Sequence, residues 1–278
     1  MDFSGAIVFL LDAINAAVAT IGNDPLLTAS LAGAIPTAYD FVILVHRLAV
    51  APVGYTLLAF LLLSEIYQIL TKDGGFAQGT KVMESVIVIF IQMVALKVVI
   101  DAAPKLLELL YSAGMAIARG VSSLAGGAGS SGLTIPTQQV IDSIGGDFGV
   151  TVVVSIILVI VWFISVVTGY VAKGILIGRF VELYIMLAFS PIPLATLPSS
   201  ELRYRGLNFL VHFFALSIQA AVVMVIMYLF PAIVGEALTN FDWSDWLGGT
   251  VLFTFYSVVL CVLVFMSNGI SKKILGSV

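Results

Sequence analysis

Arg179 and Glu182 are the residues whose types and spacing first suggest chemistry. They stand three residues apart in GILIGRFVELYIMLAF, an otherwise apolar run. Opposite charges at that spacing share a helical face and can neutralise each other. Ionisable residues inside apolar segments are costly, and they mark ion paths, gates or partner contacts. The run then meets Pro191, Pro193 and Pro198 and ends in Glu201, Arg203 and Arg205. Proline removes a backbone donor and interrupts a helix. In hydrocarbon, the groups it frees must find partners in protein or water. Residues 174–205 therefore read as a folded-back, re-entrant segment on the cytoplasmic side. Its candidate gate or partner-contact residues are Arg179, Glu182, Pro191, Pro193, Pro198, Arg203 and Arg205.

Catalysis has no comparable signal. No glycine loop with a phosphate-binding lysine occurs, and no metal-ligand histidine spacing. His46 and His212 lie far apart and read as interfacial or helix-packing residues. A proton relay needs more intramembrane carboxylates than are visible. The one cysteine, Cys261, sits in an apolar run and behaves as a small apolar residue; it permits no disulfide within the chain. No enzyme activity, cofactor or metal is expected. Gln92 and Gln219 are placed to bond between helices. Gly174 and Gly178 form a small-xxx-small pair that permits close helix approach. Lys97 and Asp101, four apart, are expected to pair near an interface. Glu65 is within reach of Lys72 or Lys81.

The elements that must position these residues are apolar helices. The chain has 278 residues, 60% of them hydrophobic and 10% charged, with a mean hydropathy of +1.14. A soluble domain carries about 25% charged residues, so this is an integral membrane protein of the all-α, polytopic class. Five spans are expected near residues 48–70, 82–100, 150–171, 207–238 and 250–270, since about 20 apolar residues cross a bilayer. Residues 5–21 carry Asp12 and Asn15, with Ile7, Leu10, Leu11, Ile14, Val18 and Ile21 at helical spacing. They read as an amphipathic surface helix. Asp2 stands where a signal peptide would carry basic residues, so none is expected.

Four regions follow. Residues 1–40 form an external amphipathic segment and 41–103 a two-helix hairpin. Residues 104–149 form a central external loop with short helices: a surface helix over PKLLELLYSAGMAIARGVSSL, a joint at 125–132 and a helix within 135–146. Residues 150–278 form a membrane region holding the re-entrant segment. Asp242 and Asp245 lie beside Trp243 and Trp246 in an outer loop, where tryptophan favours the headgroup level. Basic residues gather on the cytoplasmic side of membrane proteins. With the N-terminus outside and the C-terminus cytoplasmic, Lys72, Lys81, Lys173, Arg179, Arg203, Arg205, Lys272 and Lys273 fall inside. Arg47, Lys105 and Arg119 fall outside. A six-span count, in which the proline stretch crosses fully, separates the charges less well.

The run LAFSPIPLATLPSSELRYRGLNFLVHFF resembles the TrbL family of conjugation proteins, the VirB-six-like polytopic subunit of type IV secretion systems. The matching residues are Pro191, Pro193, Pro198, Arg203 and Arg205: a proline-containing turn after an apolar helix, a short basic patch and another apolar segment. The likeness covers about residues 40–273 in layout and about 174–235 in wording. The modest length resembles versions on conjugative elements of Gram-positive bacteria. The family often has a longer central loop than this chain. The resemblance implies a non-enzymatic channel or scaffold subunit, assembled as a homo-oligomeric ring in the plasma membrane. Implied partners are a bitopic assembly factor, the cytoplasmic secretion ATPase, the lipid bilayer and, transiently, single-stranded DNA with its bound relaxase.

Two other readings fit the residues. One is a secondary transporter or small-solute channel with a broken-helix binding site, although no internal repeat is visible. The other is a membrane assembly factor with no pore.

Overall fold

The computed structural model describes residues 5, 7–13, 16, 24–72, 79–127, 148–199, 201–239 and 246–276. It is 92% helical, and the described residues hold no strand, so the class is all-α. A 3-10 turn, Pro25–Leu27, and a short helix α1, Leu31–Ala34, lead into α2, Pro36–Val45. A π-helical turn at His46–Val50 joins α2 to α3, Ala51–Lys72. Then come α4, Gly79–Asp101, and α5, Ala103–Gly127. Helix α6 runs Phe148–Phe189, and α7, Pro191–Leu194, is a single turn. Helices α8, Arg203–Thr239, and α9, Trp246–Ile274, complete the chain.

Among the described residues, four stretches are long and apolar enough to cross a membrane: Pro36–Gln68, Val152–Phe189, Arg203–Phe230 and Thr254–Ile274. A fifth is the pair Val86–Asp101 and Ala103–Leu124, bent by 65° at Ala102. Large apolar side chains such as Leu48, Phe60, Phe163, Leu229 and Phe265 are exposed on these helices. An outward apolar surface of this extent suits lipid, not water. The chain is a multi-pass membrane protein.

Two compact units divide the chain. The first comprises Met1–Ala29, Met115–Gly178 and Ile218–Ser271. Its core holds Val154, Leu158 and Val161 of α6, Ala220 and Met224 of α8, and Leu260 and Val264 of α9. Gln219 Nε2 donates to Ser267 Oγ at 3.4 Å, tying α8 to α9 as a glutamine between helices can. Lys173 Nζ lies 4.0 Å from Asp24 Oδ2. In the expected N-terminal amphipathic helix, residues 7–13 are helical, Ile7 and Leu11 are buried and Asp12 is exposed. Ile14, Val18 and Ile21 lie outside the described residues.

The second unit comprises Ser30–Gly114, Arg179–Ser217 and Lys272–Val278. It contains the stretch singled out in the sequence, with one change of boundary. Residues 174–189, assigned above to the re-entrant segment, continue α6, and the chain leaves that helix only at Ser190. Neither the charges nor Gly174 and Gly178 break the helix; glycine costs only about 1 kcal/mol in a helix interior. In the central region the expected surface helix over residues 104–124 is α5, a helix of 25 residues. Its Leu107, Tyr111, Met115 and Ala118 are buried at three- and four-residue spacing. Residues 128–147, with most of the expected joint and the second short helix, lie outside the described residues. So do 73–78 and 240–245.

Candidate functional site: the proline turn and its surroundings

Pro191 ends α6 by chemistry that can be followed atom by atom. In a continuing helix, the amide of residue 191 would donate to the carbonyl of Leu187. Proline has no such amide. The Leu187 carbonyl instead accepts from the Ser190 amide at 3.4 Å, from Ser190 Oγ at 2.8 Å and from His46 Nδ1 at 3.2 Å. His46 is buried in the π-helical turn, a local widening common at functional positions. The rest of the turn satisfies itself. Leu194 and Ala195 amides donate to the Ser190 and Pro191 carbonyls, and Leu197 donates to Leu194. The Thr196 amide and hydroxyl both donate to the Pro193 carbonyl, at 3.2 and 2.7 Å. Such closure is what an apolar setting demands of irregular backbone.

Two glycines let other helices close on this turn. A Cβ on Gly54 of α3 would stand 2.7 Å from Pro191 Cβ and 3.1 Å from its carbonyl oxygen. A Cβ on Gly206 of α8 would stand 2.8 Å from the Pro193 carbonyl oxygen and 2.6 Å from Leu197. Leu194 and Ala195 join a buried cluster with Leu58 and Leu62 of α3, Ile89 and Ile100 of α4, and Ala103 of α5. The turn is thus docked against the middle of the helix that begins at Pro36, and against the bend between α4 and α5.

Arg179 is 2% exposed. Its Nη2 donates to the Tyr111 hydroxyl at 2.8 Å. Its guanidinium carbon lies 4.9 Å from the centre of the Phe180 ring and 5.7 Å from that of Tyr111. Cation–π contacts of this kind reach about 2 kcal/mol when desolvated. Tyr111, Phe180, Tyr184 and Tyr39 follow one another at 6.1 to 6.3 Å between ring centres. The Tyr184 hydroxyl donates to the Leu31 carbonyl at 2.8 Å. An aromatic line therefore holds α2, α5 and α6 together around the arginine.

Glu182 turns away from Arg179. Its Oε1 lies 3.3 Å from His212 Nε2 of α8 and 3.9 Å from Lys272 Nζ of α9. The pairing expected from three-residue spacing is replaced by contacts from two other helices. Likewise, Asp101 is bonded by the Tyr55 hydroxyl, and no ion pair joins it to Lys97 among the described residues. Pro191 is buried, Pro193 and Pro198 are half-buried, and Arg203 and Arg205 are exposed. Gln92 is exposed on α4 and bonds no helix of this chain among the described residues. Gly174 and Gly178 are exposed with open space above them, so they bring no helix of this chain close. The close approaches use Gly54, Gly114 and Gly206 instead.

Arg47 and Lys105, counted on the outer side in the sequence, each neighbour a residue that contacts the turn. Arg47 follows His46, which bonds Leu187. Lys105 lies two residues past Ala103, which packs with Leu194 and Ala195. Through these neighbours the α2 end and the α5 start both adjoin the turn that leads to Arg203 and Arg205. Sequence offered no signal for this, because the contacts join residues about 90 to 140 positions apart. No group of three or more potential metal ligands occurs among the described residues.

Comparisons with protein-family models, with curated proteins and with solved structures found no match.

Proposed function

We propose that this chain is a structural and channel subunit of a conjugative type IV secretion machine in the plasma membrane. In this reading it is a polytopic member of the TrbL type, assembled as a ring of copies. A bitopic assembly factor and the cytoplasmic ATPase are its partners, and single-stranded DNA with its relaxase is the cargo. The observation that carries the reading is the proline turn. It is internally bonded, docked between two long helices and followed by two exposed arginines. A segment so firmly placed suits a fixed collar better than a substrate-closing gate. Repeated around a ring, Arg203 and Arg205 would present a basic rim able to meet phosphates.

The proposed topology is five crossings, the second made by the bent pair α4–α5, whose bend lies toward the cytoplasmic face with the turn. The N-terminus is outside and the C-terminus cytoplasmic. Two features support it. Contacts of α2–α3 with α6 and the turn follow the same order, Tyr39 at Tyr184, His46 at Leu187 and Gly54 at Pro191, so both helices head the same way. Placing Arg47 and Lys105 with the turn also leaves Arg119 as the basic residue of the outer face, a cleaner positive-inside pattern.

The test is genetic. Deleting the gene should abolish plasmid transfer without a nutrient phenotype, and Arg203→Glu with Arg205→Glu should lower transfer at unchanged protein level. Normal transfer in the deletion strain, or purification only as a solute-binding monomer, would remove the secretion reading.

A further inference from the structure

Helices α5 and α8 leave the turn side by side and meet again further on. At the turn, Ala103 packs on Leu194 and Ala195, and Gly206 abuts Leu197. Beyond it, a Cβ on Gly114 would stand 2.8 Å from Ser217 Cβ. Between these two closures lies an apolar groove of about 610 Å³. Leu106, Leu110 and Ala113 line one wall, Leu210 and Phe214 the other, and Leu197 the end nearest the turn. That volume falls within the range of about 300–1,000 Å³ typical of small-ligand sites. The walls offer an occupant almost nothing but hydrocarbon.

The rim at the turn's end has the opposite character. Lys105 sits one residue before Leu106 and shares a helical face with Leu109. Arg203 sits two turns before Leu210 on the same face of α8. Lys105, Arg203 and Arg205 are exposed, and none forms an ion pair among the described residues. The nearby acids are Asp101, which Tyr55 engages, and Glu108 and Glu201. Both long helices also begin here, and their dipoles add positive potential.

We infer that this groove binds one anionic glycerophospholipid, its phosphate at Lys105, Arg203 and Arg205 and an acyl chain along the apolar walls. The two halves of the site match the two halves of that molecule. A basic pocket between helices at the cytoplasmic surface is where anionic headgroups are recognised. The site needs the membrane placement, but it does not need the secretion reading.

The test uses the full chain in phosphatidylcholine nanodiscs, with Phe214→Trp as reporter and the unsubstituted chain as background. Phosphatidylglycerol or phosphatidylcholine with brominated acyl chains is added at equal fractions. Brominated phosphatidylglycerol should quench the reporter's indole emission at lower fractions than brominated phosphatidylcholine. Lys105→Gln, Arg203→Gln and Arg205→Gln should erode that preference by about fivefold for each cation removed. High salt should weaken it in the unsubstituted site as well. Equal quenching by both lipids would reduce the groove to ordinary boundary contact and overturn the proposal. So would absent quenching with an Ala113→Cys disulfide between two copies, which would mean that a second chain fills the groove.

Discussion

Arg179 shows what spacing can and cannot say. Three residues from Glu182, it can reach that carboxylate, but reach does not choose a partner. Tyr111, 68 positions away, offers a hydroxyl and a ring face inside the packed helices, and Arg179 takes both. Glu182, on the wetter side, finds His212 and Lys272. The sequence revealed that this helix carries structural charge; it did not reveal the aromatic lining, because nothing local marks Tyr111 as its partner. Gln219 was legible, since a glutamine inside a span has few alternatives to another helix. A test follows at this scale. Tyr111→Phe keeps the ring and removes the acceptor. It should lower stability by about 1.5–3 kcal/mol, the usual size for a bond to a charged group. Thermal unfolding in detergent measures this, and an unchanged midpoint would mean that the ring alone holds the arginine.

The helices were readable as elements because long apolar runs admit few other structures in a bilayer. Their ends were less so. Lys173 resembled a helix boundary, yet α6 continues for 16 residues beyond it, to Phe189. A charge alone does not stop a helix, whereas Pro191 does, by removing the donor that Leu187 requires. The π-helical turn at His46 left no local sign. Its value appears only where His46 meets the carbonyl that Pro191 frees. Gly54 and Gly206 looked unremarkable beside Gly174 and Gly178, but they are the glycines the turn leans on. Gly54→Val should cost about 1–3 kcal/mol by overpacking against backbone that cannot yield. The same change at Gly178, where open space surrounds the backbone, should cost little more than helix propensity. Equal losses at the two positions would argue against a docked turn.

At the scale of the whole molecule, the class followed from composition: 10% charged residues cannot cover a water-soluble body. Orientation rested on counting basic residues loop by loop, and that count assumed loops close in sequence share a face. Packing within the second unit brings His46 and Ala103, the neighbours of Arg47 and Lys105, against the turn that leads to Arg203 and Arg205. In the proposed topology Arg47 and Lys105 then both belong to the cytoplasmic side.

The most direct measurement places single cysteines at Lys105 and Arg205 in a Cys261→Ser background and labels them with a membrane-impermeant maleimide. Both positions should react in inside-out vesicles and remain protected in intact cells. Labelling of the two from opposite sides of the membrane would contradict the docking of the proline turn against the α4–α5 bend.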